Sequence, residues 1–312
     1  MSKVKLKPLA LSPSPAIQLT PSVETKPVGE PILQTIHTGG SGTGISYYKR
    51  WLGCCNSAWL SEQPDIEQPK KSALEIGTIA HAFLKMYHKR EEKDFNPEAV
   101  AFIDTNGDPY LIDTTARVEA ERLFRAYRGE FKPTEFGKIV AVEQPLPPPN
   151  DATMAAKICD AVGVEPFTFQ ADLVAKISEA DCERLRTTRA LDLPGPGYYL
   201  VDHKTESRHD SNVVDKWMNE LQFVAYPVGW NAVYPKTQVR GTIVNIIFKT
   251  KVVDFMLFFV PTPNAHRVRV LQSQLALAVH NMTEHTRQTN TKHCWDYHGV
   301  CHWLNVGLCN QL

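Results

Sequence analysis

The spacing of apolar residues changes partway along the chain, from a helical period to a strand-like one. Leu74, Ile76, Ile79, Ala80, Phe83, Leu84 and Tyr87 recur on one helical face, which predicts a helix from Ser72 to about Arg90. Trp51, Leu52, Cys55 and Trp59 predict an earlier helix over 47–61, capped by Ser46, and a third covers 114–127. Beyond it the runs 138–146, 167–177, 197–204, 239–249 and 254–260 are β-branched and aromatic and read as strands. Helical stretches at 212–234 and 264–289 follow the third and fifth of these strands. Pro145 and Pro147 to Pro149 close the first strand, and 181–196 reads as a long exposed turn. Strands in hairpin-like succession, followed by a helix crossing to further strands, predict an α/β domain. Its sheet is mixed and flanked by helices, not doubly wound.

Composition sets the limits of that domain. Residues 1–44 are rich in Pro, Ser, Thr and Lys and poor in clustered apolar groups, so they are expected to form a flexible tail. The glycines between Gly39 and Gly44 lack the Gly-Lys-Ser/Thr ending of a phosphate loop. The folded domain is expected over 45–290, with 291–312 as a Cys-containing extension that packs back on the N-terminal helix. At 312 residues and 43% hydrophobic content the chain has ample core material. Lys plus Arg and Asp plus Glu both number 34, so no global positive field advertises nucleic acid, although a local basic groove is compatible with that balance. No run of 18 apolar residues exists and the N-terminus lacks a signal-peptide core, so neither a membrane partner nor secretion is expected. The expected location is cytoplasmic.

The chemistry concentrates in Tyr198 to Thr205, an apolar run that ends in Asp202-His203-Lys204. Asp202 and Lys204 are two apart on a strand and project to the same side. Upstream, the run from Phe167 to Val174 carries a single acid, Asp172. A second acid near Asp202 completes a site for a divalent cation, and two carboxylates with a lysine suggest phosphodiester cleavage. No Rossmann, P-loop or nucleophile-elbow pattern favours a small-molecule enzyme instead.

Five ordered features resemble the PD-(D/E)XK nuclease superfamily, and within it the RecB-like branch of CRISPR-adaptation and phage recombination exonucleases. They are Gly77 to His81 on the second helix, Glu143 in the first strand, Asp172 in the second, Asp202 to Thr205 in the third, and Gln222 with Tyr226 on the next helix. The resemblance implies a restriction-endonuclease-like fold and a divalent-metal-dependent DNA nuclease, acting as an exonuclease on DNA ends. The alternative is a non-cleaving DNA-binding or assembly subunit that keeps the fold. It further implies that Asp172, Asp202, His81 and the His203 carbonyl ligate Mg²⁺ or Mn²⁺, the imidazole tilting the choice toward Mn²⁺. Lys204 then orients water or stabilises phosphate charge, Glu143 supports the site, and Gln222 and Tyr226 contact DNA or position Lys204. Where the family often has glycine two residues before the second-strand acid, this chain has Gln170. DNA is the implied partner, with a single-strand annealing protein or another recombination partner beside it. Lys85, Lys89, Arg90, Arg208 and Lys216 are candidate phosphate contacts, and Tyr47, Tyr48, Trp51 and Trp59 either stack on bases or pack in the core.

Seven cysteines, an odd number, make a poor disulfide framework. Cys294, Cys301 and Cys309, with Cys54 or Cys55 upstream, look like the [4Fe-4S] staple of some RecB-like exonucleases, although six residues separate Cys294 from Cys301 where familiar versions are tighter. Zn²⁺ held by four cysteines, or by cysteines with His298 or His302, and no metal at all are the other readings. The cluster reading predicts brown, iron-containing protein after anaerobic purification, and a colourless, iron-free preparation rules it out.

Overall fold

The computed structural model describes residues 32–35, 43–63, 72–90, 95–103 and 107–284. In chain order the elements are β1 (Ile32–Thr35), α1 (Ile45–Gly53), α2 (Cys55–Leu60), α3 (Ser72–Arg90), β2 (Val100–Ile103) and α4 (Thr114–Glu130). Then come β3 (Lys138–Leu146), α5 (Ala152–Val162), β4 (Phe169–Ile177), α6 (Glu179–Arg189) and β5 (Gly197–Glu206). The last are α7 (Val213–Met218), α8 (Gln222–Val233), β6 (Val239–Phe248), β7 (Asp254–Pro261) and α9 (Ala265–Thr283).

The five runs read as strands in the sequence pair in the order β3-β4-β5-β6-β7. β3/β4, β4/β5 and β6/β7 are antiparallel, whereas β5/β6 is parallel. A parallel neighbour cannot be reached by a hairpin, and α7 and α8 supply the crossover. Both faces of this mixed sheet are covered by helices, the flanked α/β arrangement that the order of elements predicts. Against one face α3 and α4 bury Phe83, Phe124 and Tyr127 with Leu173, Val201 and Ile243. Against the other, α1, α5, α8 and α9 bury Tyr48, Trp51, Ile158, Trp230 and Leu275 with Phe169 and Leu200. Burial on both faces explains why every position of β6 but Arg240 is buried, instead of every second one.

Several boundaries differ from the sequence expectation for identifiable reasons. The helix expected over 47–61 breaks at Cys54, whose backbone is extended (φ −139°, ψ 111°), and Gly44, not Ser46, occupies the N-cap. The stretch 212–234 divides into α7 and α8. The turn expected at 181–196 contains most of α6, which a Ser178–Asp181 capping box starts. Only Cys182 and Leu185 of α6 are buried, so it carried almost no apolar period to read. α5 went unassigned, although its signals were present: Asp151 caps the Met154 N–H, and Gly163 ends it in the left-handed region (φ 86°). Within the expected tail, Ile32–Thr35 form β1 and pair in parallel with β2. Cys294, Cys301 and Cys309, and the whole extension 291–312, lie outside the described residues. Among the described residues no helix is long and apolar enough to cross a membrane.

Gly241, in β6, has φ 154°, and a Cβ there would abut the Val260 carbonyl oxygen and the Phe259 ring. Gly241→Ala is expected to destabilise the fold by at least about 1–3 kcal/mol, the cost of the backbone conformation alone. Urea unfolding monitored by circular dichroism measures it.

Candidate active site

The β4/β5 ladder stops at the pair Leu173↔Val201, while β5 continues to pair with β6 as far as Glu206↔Phe248. Past that point β4 and β5 fork. A backbone N–H exposed in such a fork needs a new acceptor. The His203 N–H finds it in the Asp172 side chain, with Oδ2 at 2.6 Å. Asp172 thus takes the place of a ladder carbonyl, and its position is tied to β5.

Around Asp172 the structure gathers two further metal-donor side chains. One donor atom from each of His81, Glu143 and Asp172 lies within 4.8 Å of the others. His81 reaches in from α3, its Nδ1 3.4 Å from Asp172 Oδ2. Gly77, one turn earlier, is not demanded by crowding: a Cβ there would meet Thr205 Oγ1 at 3.4 Å. Glu143 enters from β3 on a left-handed backbone, φ 40°, a conformation that costs about 1–3 kcal/mol outside glycine and concentrates at functional sites. Lys85 Nζ stands 2.8 Å from Glu143 Oε2, and the Gln170 amide donates to the same oxygen at 3.3 Å. Burial would raise the Asp172 pKa, but the His81 and His203 rings hold it well below the usual range. Burial pulls the His81 imidazole down, and Asp172 overrides this to leave it raised. Burial raises Glu143, Lys85 opposes it, and the Asp172 charge adds to the rise.

A second cluster lies on the crossover side of β5. Asp202 is 3% exposed. Lys204 Nζ is 2.7 Å from Asp202 Oδ2, and the Gln222 amide locks the pair, donating to Asp202 Oδ1 at 2.6 Å and accepting from Lys204 at 3.1 Å. Burial and Asp172 raise the Asp202 pKa against the pull of Lys204. Burial would lower Lys204, but Asp202 and Asp172 leave it raised and charged. Tyr226, one turn beyond Gln222, stacks on Phe169 with ring centroids 4.9 Å apart. Burial, with Asp202 and Asp172 nearby, pushes its phenol well up, so it keeps its proton. The eight residues singled out in the sequence for this site therefore occupy one end of the sheet in two adjoining groups. His81, Glu143 and Asp172 form one, Asp202, Lys204, Gln222 and Tyr226 the other, and His203 stands between them.

What lies behind His203 is set by contacts between distant residues. Its Nε2 is 3.0 Å from the Tyr127 hydroxyl, which is 3.0 Å from His88 Nε2, and His88 Nδ1 is 2.7 Å from the Pro133 carbonyl. His203, Tyr127 and His88 are all buried to 1% exposure or less. The carbonyl can only accept, so His88 Nδ1 carries the proton and donates. Burial and the neighbouring His203 push His88 down to about 3, so it is neutral and its Nε2 accepts from Tyr127. The Tyr127 oxygen then accepts from His203 Nε2–H, and His203 Nδ1 is left facing Asp172 Oδ2 at 3.5 Å. One backbone carbonyl thereby sets the direction of a buried chain that ends at the carboxylate. Its members were invisible because nothing in the helical spacing of α3 and α4 sets His88 or Tyr127 apart from any other helix position.

The remaining candidates disperse. Tyr48 and Trp51 are buried in the core, and the Tyr48 hydroxyl donates to Pro166 O at 2.5 Å. Lys216 pairs with Glu206 at 2.6 Å, while Lys89 and Arg208 are exposed. Cys54 is buried at the α1/α2 break, and Cys55 donates to Trp51 O at 3.6 Å. Asn281, near the end of α9, donates to Trp51 O at 3.0 Å, so the last described residues lie beside the helix that leads into these cysteines.

His88 supplies a pH test of the buried chain. It stays neutral in the folded protein down to about 3, whereas its ordinary value is 6.5. Between these values the unfolded state holds more protons, so stability falls as pH drops through this window, by up to about 1.4 kcal/mol per pH unit from this residue. His88→Gln is expected to be less stable than the parent at pH 7, with the difference narrowing toward pH 4. Urea melts across that range check it.

No protein-family model matches the chain, and no curated protein matches it at a significant level. Among solved structures it is similar to a crystal structure from Eubacterium rectale named "Putative exonuclease", at 15% identity and a TM-score of 0.43, over 78% of this chain and 79% of that one. A likeness of that degree carries no argument about activity, and the functional reading rests on the site.

Proposed function

We propose that the chain is a divalent-metal-dependent DNA nuclease that hydrolyses phosphodiester bonds at DNA ends, on a domain spanning about 45–290. The observation that carries the reading is the fork between β4 and β5, where a His/Glu/Asp donor group adjoins a buried Lys–Asp pair. The donor set fits a divalent cation: two carboxylates and an imidazole within 4.8 Å suit Mn²⁺, and Mg²⁺ less well. His81, Glu143 and Asp172 would hold the ion, with Asp202 and the His203 carbonyl adjoining. A cation bound there supplies Lewis acidity toward the phosphate and an attacking water.

The protein's own groups do the rest. Asp172, held ionised by two imidazoles, is ready to ligate. Lys204, held charged by Asp202, places a fixed cation where negative charge grows on the phosphate, and Gln222 prevents it from swinging away. Tyr226 keeps its proton and offers a donor at the same end of the sheet. A preorganised cation of this kind gives most in a water-poor setting, and Lys204 is largely buried. For the C-terminal extension 291–312, the proposed role is a clip returning to Cys54 and Cys55, toward which the end of α9 leads. The single-strand annealing or other recombination partner is a proposal at the same level, supported by the resemblance alone.

End-labelled linear DNA and closed circular DNA, each with EDTA, Mg²⁺ or Mn²⁺, test the proposal. Cation-dependent loss of the linear substrate is expected, faster with Mn²⁺ and abolished by EDTA. Lys204→Ala and Asp172→Asn should each lower the rate by at least about 100-fold with the fold preserved. Cutting of the circle would make the protein an endonuclease. Cleavage of neither substrate would favour the non-cleaving DNA-binding or assembly subunit.

A further inference from the structure

Beside the carboxylates lies a cavity of about 740 Å³ that no step above uses. It runs between the first turn of α1, the proline-rich stretch after β3, the start of α5 and the start of β4, and Tyr226 of α8 closes one side. Gln170 and Tyr226 belong to the cavity and to the site at once. The Gln170 amide donates to the Glu143 carbonyl at 3.0 Å, and Tyr226 follows Gln222 on α8. Pro145 and Gln170 face each other across β3/β4, two residues from Glu143 and Asp172 respectively. That separation is roughly 7 Å along the strands. Cavity and donor group are neighbours on one strand pair.

The lining chemistry selects what can enter. Among the described residues no Lys, Arg or His lines the cavity, and the carboxylate they supply, Asp151, is occupied in capping α5 through Met154 N at 2.9 Å. A phosphate finds no cation among these residues. A flat, neutral ring finds proline rings and the stacked pair Phe169–Tyr226, with the Gln170 amide at the rim. The volume falls within the roughly 300–1,000 Å³ of small-ligand sites. We infer that this cavity is a nucleobase subsite, taking an unpaired base next to the phosphate that sits at His81, Glu143 and Asp172. This rests on the nuclease reading above and narrows its substrate class. A base that is stacked and paired within a duplex cannot enter, so the substrate is single-stranded DNA or a frayed end.

The test uses the full chain and single-stranded oligonucleotides in which one abasic nucleotide is moved stepwise from the end. Binding is read by fluorescence anisotropy in EDTA, and cleavage separately in Mn²⁺. One abasic position is expected to weaken binding about 5- to 150-fold, the range a stacked base contributes. Ala155→Trp, which fills the cavity from α5, should bind intact DNA only as well as the parent binds that abasic oligonucleotide, and should no longer distinguish the two. Ser46→Trp, from the α1 side, repeats the test on another wall in case the first variant fails to fold. Folded filling variants that still distinguish intact from abasic DNA as the parent does would overturn the inference. Cleavage with no position-dependent abasic effect would also overturn it while leaving the nuclease reading in place. An abasic signature in binding without any cleavage would sink the nuclease reading and keep the subsite, and absence of both binding and cleavage would remove both.

Discussion

The hydrogen bond from the His203 backbone N–H to Asp172 Oδ2, at 2.6 Å, is the constraint on which the site depends. Strands can part only where the backbone groups they release find other partners, because an orphaned buried N–H costs on the order of 1–3 kcal/mol. Here a side chain from one strand satisfies the backbone of the other. The sheet opens at that step, and the same bond fixes the carboxylate relative to Asp202 and Lys204. A residue without a side-chain acceptor at Asp172 would therefore disturb the fork as well as any ion held there, whereas asparagine keeps an oxygen for the His203 N–H.

The opening separates the two aspartates into different electrostatic roles. Asp172 faces imidazoles and is held ionised, whereas Asp202 is buried, feels Asp172 and is pushed up while Lys204 resists. Neighbouring carboxylates driven apart in this way are a recurring feature of catalytic sites. Each buried charge has an assigned partner: Lys204 with Asp202, Lys85 with Glu143, and His81 with Asp172. The arrangement costs stability, through burial of the ions and the left-handed backbone at Glu143, and the apolar clusters on both sheet faces offset that cost. The chain from His203 through Tyr127 to His88 belongs to the same economy, since it lets an imidazole be buried against Asp172 with its ring direction fixed by one carbonyl.

Much of this was legible in the chain. The helix at Ser72–Arg90 follows from periodicity, because burial forces apolar residues to recur at the spacing of the element that buries them, and the five strands follow from their runs of β-branched and aromatic residues. Asp202 and Lys204 fall on one side of a strand for the same reason. α6 and β1 escaped because the first buries only two residues and the second is four residues long, too little for a period to register. The grouping of Glu143 with His81 and Asp172, in place of Asp202, depends on a left-handed backbone at Glu143 that no local pattern encodes.

The sequence by itself determined the five strands of the sheet, the apolar face of the helix at Ser72–Arg90, and which acids, histidines and lysine are available. It did so because propensity, capping and periodicity are local. Only the tertiary structure decided that β4 and β5 part at Asp172, that Tyr127 and His88 stand behind His203, and that a cavity opens beside Gln170 and Tyr226. Those are contacts between residues distant along the chain, fixed by how helices pack across the two faces of the sheet, and no spacing within a single element carries them.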